Sequence, residues 1–119
     1  MTAGSPRIEA ISAVTLIASD MARSVAFYSD LGFELRHSSA DFASFAVGDG
    51  YLNLAGGAPP DGLWGRVVVY VDDVDEMFRR IESLGLTPET EPADADWGER
   101  YFHLRDPDHH ELSFAHPLH

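Results

Sequence analysis

Two segments of the chain repeat the same order of apolar and polar positions. Val14–Asp20 is a short run rich in β-branched residues that ends in an aspartate, and Val67–Asp73 repeats this run 53 positions later. In both copies a glycine stands 12 positions after the aspartate, as Gly32 and Gly85. A fixed offset of this kind indicates two copies of one structural unit.

Each copy reads as a strand, an aspartate helix cap, an amphipathic helix and a glycine that ends the helix. Asp73 and Glu76 form a capping-box pattern, and Gly85 fits the left-handed position after a helix. The apolar positions recur at helical spacing and predict core-facing stripes: Met21, Val25, Tyr28 and Leu31 in the first copy, and Val74, Met77, Phe78, Ile81 and Leu84 in the second.

Strand-like segments separated by turn residues follow each predicted helix. They span 33–38, 42–47 and 51–55 in the first half, and 87–90, 100–104 and 111–115 in the second. The order β-α-β-β-β therefore occurs twice, which predicts an α+β fold. We expect one domain over 1–119, with module 1 at about 8–56, a Gly/Pro linker at 57–63 and module 2 at about 64–116.

Charge and composition limit the classes of partner and of chemistry that the chain can have. Eight Lys and Arg residues against 20 Asp and Glu residues give a net charge of −12, which disfavours nucleic acid and anionic membranes as partners. The chain has no cysteine, so thiolate chemistry and disulfides are excluded. No segment has the apolar length of a signal peptide core or a membrane span, and we expect a cytoplasmic protein.

Two motifs resemble a known superfamily. Asp20–Tyr28 followed by Leu31, Gly32 and Phe33, together with Trp97–Asp108, is similar to the opening and closing motifs of the glyoxalase / bleomycin-resistance / extradiol dioxygenase (vicinal oxygen chelate) superfamily. The resemblance implies two βαβββ modules whose curled mixed sheets enclose a cavity, commonly in a homodimer. It covers metal-dependent lyases, isomerases and dioxygenases as well as proteins that sequester antibiotics, so it leaves function open.

The resemblance also implies four metal-ligand positions, which fall on Ala13, Asn53, Arg66 and Ser113. Alanine has no donor atom, an amide and a hydroxyl are weak ligands, and a guanidinium repels a cation. We therefore expect no metal and no cofactor. The remaining candidates for a rebuilt site are Glu111 and the histidines His37, His103, His109, His110 and His116. Of these, His109 replaces the family's usual turn glycine, which would require a left-handed backbone or a rebuilt turn.

Strand alternation places both polar and apolar side chains on the same sheet faces as the four implied metal-ligand positions. The expected ligand-binding residues are Tyr51, Asn53, Arg66, Tyr70, Trp97, Tyr101, His103, Glu111 and Ser113, with Trp64 as a second aromatic residue at the rim. Arg66 would pair either with an anionic group of the ligand or with Glu111. A pocket of apolar walls with a few polar groups is typical of a small-molecule site.

Three functions remain open from the sequence. The leading hypothesis is a metal-free homodimeric protein that sequesters or carries a small, partly aromatic ligand. The alternative is an enzyme of the same superfamily that uses a displaced metal, or metal-free acid–base chemistry with His103, Tyr101 and Glu111 as candidate catalytic residues. The third is an interaction module without a small ligand, in which Arg66 and Glu111 neutralise each other and side chains fill the cavity.

Overall fold

The computed structural model describes residues 6–62 and 65–119, which form two similar modules. Module 1 contains β1 (Ala13–Ala18), α1 (Met21–Leu31), β2 (Glu34–Ser38), β3 (Phe42–Val47) and β4 (Gly50–Gly56). Module 2 contains β5 (Arg66–Tyr70), α2 (Val74–Ser83), β6 (Ala93–Asp94), β7 (Glu99–Arg105) and β8 (Glu111–Pro117). The predicted α+β fold with two βαβββ units is confirmed. Leu63 and Trp64, where the predicted linker ends and the predicted module 2 begins, lie outside the described residues.

Each module contains one four-stranded mixed sheet, with strand orders β1-β4-β3-β2 and β5-β8-β7-β6. The first strand of each module lies at an edge and runs parallel to the last strand. The register is also repeated, since Thr15 pairs with Asn53 and Val68 pairs with Ser113. The offset found in the sequence is therefore preserved in the positions of facing residues.

Both helices begin and end where the sequence predicts. The Asp20 carboxylate accepts a hydrogen bond from the Arg23 amide at 3.1 Å, and Asp73 accepts one from the Glu76 amide at 3.0 Å. Gly32 follows α1 with a φ of 109°, a conformation that favours glycine. In the predicted capping box, Asp73 acts as the N-cap because its carboxylate accepts from the Glu76 amide. The Glu76 carboxylate pairs with Arg79.

The helices cover one face of each sheet and form the core with it. Tyr28 of α1 packs against Phe45 of β3, and Phe78 of α2 packs edge-on against Phe102 of β7. The alternating strand residues that point toward the helices are buried, among them Leu16, Leu52, Leu54, Leu104, Leu112 and Phe114. Both predicted apolar stripes contribute to this core. The exception is Leu84, which caps the end of α2 and is 41% exposed, so its predicted place in the core is wrong.

One predicted strand is wrong. Residues 87–90 form no strand, and the strand that pairs with β7 is the two-residue β6, where no strand was predicted. Pro88 has no amide proton to donate to a ladder. At this point the only described backbone bond to β7 runs from the Glu89 amide to the His103 carbonyl oxygen.

Contacts near the β7–β8 turn join the modules. The Tyr28 hydroxyl donates to Asp106 at 2.7 Å, Ser19 bonds to Asp108, and a ring nitrogen of His110 lies 2.7 Å from the carbonyl oxygen of Ile17. His109 adopts a φ of 68°, so the turn accepts the left-handed backbone that the sequence led us to consider.

The two sheets of one chain do not close round a cavity, whereas the resemblance implied sheets that enclose one. Each sheet has one face covered by its own helix, and no described strand pairing connects the two sheets. The opposite face of each sheet is open. No helix among the described residues is long and apolar enough to cross a membrane.

Candidate ligand-binding face

The open side of the module 2 sheet carries most of the predicted site residues. We call this side the module 2 face; it is formed by alternating residues of β5, β7 and β8. The strand register places Glu111 between Arg66 and Arg105, and Ser113 between Val68 and His103. Its strand members are Arg66, Val68, Tyr70, Glu99, Tyr101, His103, Arg105, Glu111, Ser113 and Ala115. Trp97, just before β7, packs against Tyr101 and is counted with this face.

Charged groups concentrate at one end of the module 2 face. The side chain of Glu111 is only 6% exposed, and its carboxylate accepts from Arg66 Nε at 2.5 Å and from Arg105 at 3.4 Å. Arg105 also pairs with Glu89 at 2.9 Å. Of the two partners predicted for Arg66, the structure shows Glu111. Burial alone would raise the pKa of Glu111, but the hydrogen bond from Arg66 and the nearby cations outweigh it and lower that pKa.

His103 lies beside this charge cluster. Its Nδ1 is 3.7 Å from the Glu111 carboxylate, and its ring packs against Tyr101 with the centroids 5.2 Å apart. Burial lowers the pKa of His103 below its ordinary value, with Glu111 opposing this effect. The imidazole is therefore neutral at pH 7, and it can donate or accept a hydrogen bond.

Aromatic side chains occupy the other end of the module 2 face. Trp97 and Tyr101 pack with ring centroids 5.4 Å apart, so that Trp97, Tyr101 and His103 form a row. Trp97 and Tyr70 are 68% and 60% exposed, and both donate hydrogen bonds to Glu99. The hydrogen bond to Glu99 raises the pKa of the Tyr70 hydroxyl.

The open side of the module 1 sheet, which we call the module 1 face, is neutral by comparison. Asn53 accepts from the Ser44 hydroxyl at 2.8 Å and donates to the Thr15 hydroxyl at 3.5 Å. Tyr51 lines a groove of about 450 Å³ that runs between the modules and that Arg66 also lines. The structure thus brings Tyr51 and Arg66 together, whereas Asn53 and Trp97 do not line this groove.

Three residues of the module 2 face and its margin were missed by the sequence analysis. Glu99 and Arg105 alternate with Tyr101 and His103 along β7, so period-two spacing could have found both. Glu89 lies in the irregular segment before β6, where no periodicity indicates a direction.

The four metal-ligand positions implied by the family do not fit a divalent ion. Arg66 is a permanent cation committed to Glu111, and both side-chain polar atoms of Asn53 are hydrogen-bonded to neutral hydroxyls. Ala13 has no donor atom, and Ser113 offers only a hydroxyl. A set with one cation and no carboxylate, imidazole or thiolate cannot balance a doubly charged ion.

A different trio contains metal-ligand types. The ligand atoms of Glu89, His103 and Glu111 all lie within 4.8 Å of one another. Arg105 pairs with both carboxylates, and Arg66 pairs with one of them. The two guanidinium groups already neutralise the two carboxylates, so a metal would have to displace at least Arg105.

The other histidines that were candidates for a rebuilt metal site are not part of this trio. His110 is buried at the module junction against Ile17, His116 is exposed near the end of β8, and His37 lies on β2 of module 1. His109 is in the β7–β8 turn, where its carbonyl oxygen accepts from Arg105.

Comparisons with known proteins agree with the fold. The sequence model of the Glyoxalase/Bleomycin resistance protein/Dioxygenase superfamily matches residues 10–114. Curated relatives from Geobacillus stearothermophilus and Staphylococcus aureus, each called "Bleomycin resistance protein", are 30% identical, and the matches cover 80% of this chain and 87% of theirs.

Similar solved structures include a bleomycin-binding protein and an enzyme. A bleomycin-binding protein complexed with bleomycin has a TM-score of 0.73 at 25% identity, covering 91% of this chain and 98% of that one. A lactoylglutathione lyase from Agrobacterium tumefaciens has a TM-score of 0.76 at 25% identity, covering 92% and 94%. A glyoxalase/bleomycin resistance protein/dioxygenase from Nocardioides has a TM-score of 0.79 at 22% identity, covering 96% and 87%.

Proposed function

Because the chain belongs to the Glyoxalase/Bleomycin resistance protein/Dioxygenase superfamily, we propose that it is a metal-free protein that binds and sequesters a small, partly aromatic molecule. The observation that carries this proposal is the chemistry at the four ligand positions. A guanidinium stands at Arg66, and its neighbour Glu111 is already neutralised by it. The scaffold is kept while the groups that would hold a metal are replaced.

The module 2 face supports the binding of a flat ligand. The exposed rings of Trp97 and Tyr70 and the half-buried ring of Tyr101 offer apolar contact area, and the half-buried His103 offers a hydrogen-bonding group. Ser113, which lies between Val68 and His103, is only 4% exposed. Relatives at 30% identity are named for bleomycin resistance, and a structural neighbour was solved with bleomycin. We therefore place this chain with the sequestering members and propose antibiotic resistance in the cytoplasm as its role.

A second copy of the chain would complete the pocket. Tyr51 on the module 1 face is 49% exposed, and Val68 and Tyr70 on the module 2 face are 53% and 60% exposed. Exposed apolar side chains of this kind are typical of surfaces that bind a partner. The proposal is a homodimer in which the module 1 face of one chain covers the module 2 face of the other. Size-exclusion chromatography with light scattering tests it, since a monomer would contradict this assembly.

The binding proposal is tested by thermal-shift measurements against a panel of aromatic antibiotics that includes metal-free bleomycin. At least one member should raise the Tm in a concentration-dependent way, and EDTA should leave the Tm unchanged. The Trp97→Ala variant should lose the ligand-induced shift. Leu84→Ala, an exposed apolar truncation on the α2 side of the module, should keep it. About one equivalent of tightly bound zinc, nickel, iron or manganese per chain would contradict the metal-free proposal.

An enzyme of the same superfamily is the second candidate. The convergence of Glu89, His103 and Glu111 favours it. A displaced metal would then bind with about one equivalent per chain and be lost in Glu89→Gln. Replacing His103 by Ala would abolish turnover while leaving ligand binding nearly intact.

The interaction-module hypothesis requires two features, of which one is present. Arg66 and Glu111 do pair, but the groove of about 450 Å³ beside Arg66 is not filled by side chains. The open groove therefore favours a small-molecule ligand over this third function.

A further inference from the structure

Glu99 is held in place by two aromatic side chains. The Tyr70 hydroxyl donates to Oε2 of Glu99, and the Trp97 indole N–H donates to Oε1 at 3.0 Å. Tyr101, two residues after Glu99 on the module 2 face, packs against Trp97. We call Glu99, Tyr70, Trp97 and Tyr101 the aromatic corner; it presents a fixed carboxylate bordered by three rings.

Glu99 has no cationic partner within the described part of the chain. Glu111, on the same face, is paired with Arg66 and Arg105. The guanidinium next to Glu99 in sequence, that of Arg100, points elsewhere and is engaged by Asp75 and Asp94. The aromatic corner therefore carries an uncompensated negative charge, whereas the other end of the module 2 face is balanced.

From this geometry we propose that the aromatic corner binds an organic cation, namely the ammonium, amidinium or guanidinium end of an aromatic ligand. The inference rests on the proposed function and adds the chemical class of the ligand. A cation placed against the rings gains from their quadrupoles, and Glu99 supplies the opposite charge. Because both aromatic donors are engaged by Glu99, the carboxylate and the ring faces are what the corner offers to a ligand.

The position of Arg66 sharpens this assignment. Arg66 and Tyr70 are four residues apart on β5, which corresponds to about 13 Å along an extended strand. A negatively charged group of the ligand would lie at the Arg66 end and not beside Glu99. The net charge of −12 adds a long-range attraction for cations.

Three indole compounds that share one ring system test the proposal. Tryptamine carries an ammonium, tryptophol is its neutral counterpart and indole-3-acetate is an anion at pH 7. Isothermal titration calorimetry or NMR titration should show tryptamine binding at least about tenfold more tightly than tryptophol, with indole-3-acetate weakest. In Glu99→Gln, which keeps the size and one acceptor, tryptamine and tryptophol should agree within about twofold.

Glu82→Gln is the matched control because it removes the same charge from an exposed position on α2, which packs against the covered side of the sheet. It should keep the preference for tryptamine. Equal binding of the three compounds to the unmodified protein, or an unchanged preference in Glu99→Gln, would overturn the cation site and leave the binding function standing. Failure of all three to bind at millimolar concentration would contradict the cation site, while the antibiotic panel would still decide the binding function separately.

Discussion

The two modules share a scaffold but differ on their open faces. The register positions that hold Arg66, Glu111 and Arg105 in module 2 hold Ala13, Tyr51 and Ala46 in module 1. In the adjacent row, Val68, Ser113 and His103 correspond to Thr15, Asn53 and Ser44. Module 2 thus carries charges and an imidazole where module 1 carries methyl groups, hydroxyls and an amide.

This difference distinguishes the positions that the fold constrains from the positions available for binding a ligand. The positions that point toward the helices are apolar in both modules, because each sheet must bury that side. The open positions are free of this requirement and have diverged. The charged and titratable groups of the open faces are therefore concentrated in module 2. The neutral module 1 face is suited to pack over the module 2 face of a second chain.

Removing the contact that joins the modules is expected to cause the largest loss of stability. Asp106 is 4% exposed, accepts from the Tyr28 hydroxyl, and also accepts from the backbone amides of Asp108 and His110 at 2.9 Å. Asp106→Ala leaves buried donors without an acceptor and should cost about 3 kcal/mol of unfolding free energy. Differential scanning calorimetry should show a fall in Tm of about 10 °C.

The corresponding turn of module 1 supplies the control for Asp106→Ala. Asp49 lies in the β3–β4 turn and is exposed. Asp49→Ala should change the unfolding free energy by less than about 0.5 kcal/mol. Similar losses in both variants would show that the two turns are equivalent and that the module contact at Asp106 does not distinguish them.

Much of the fold followed from local signals in the sequence. The helix caps at Asp20 and Asp73 and the glycines after the helices predicted both helices, since these residues satisfy backbone groups close to them in sequence. The strand at 87–90 was wrong because its pairing depends on a distant partner. Pro88, which has no amide proton to donate, is the residue of this segment that argues against a strand.

The site was less predictable because its contacts are long-range. Alternation placed Arg66, His103 and Glu111 on one face, but it could not decide that Arg66 pairs with Glu111. The role of Glu89 depends on an irregular segment whose backbone bonds to β7, and no periodicity in the sequence predicts that contact. Likewise, the sequence could not show that the sheets of one chain stay open.

A smaller effect is expected from the left-handed residue in each hairpin turn. Gly48 has a φ of 55° in module 1, where a side chain would meet no atom within 4 Å, and His109 has a φ of 68° in module 2. His109→Gly should stabilise the protein by about 0.5–1 kcal/mol, and Gly48→Ala should destabilise it by about 1 kcal/mol. Chemical denaturation measures both. Destabilisation by His109→Gly would mean that the histidine side chain contributes more than its backbone costs.

The smallest expected effect concerns His103, which faces Glu111, Arg66, Glu89 and Arg105. Its pKa in the folded protein is lowered, mainly by burial, from an ordinary value of 6.5. Well above pH 6.5 the imidazole is neutral in both states, so its contribution to stability is fully present there. As the pH falls below 6.5, the unfolded chain takes up the proton first, and stability declines until the folded pKa is reached.

His103→Gln removes this titration and His37→Gln does not, since His37 is an exposed residue paired with Ser44 on the module 1 sheet. Between about pH 7.5 and pH 5.5 the Tm of the unmodified protein and of His37→Gln should therefore fall more than the Tm of His103→Gln. Identical pH profiles in all three proteins would show that the carboxylates beside His103 compensate fully for its burial. In that case the imidazole would be as readily protonated in module 2 as in solution, and the contrast between the two faces would be one of packing and not of proton affinity.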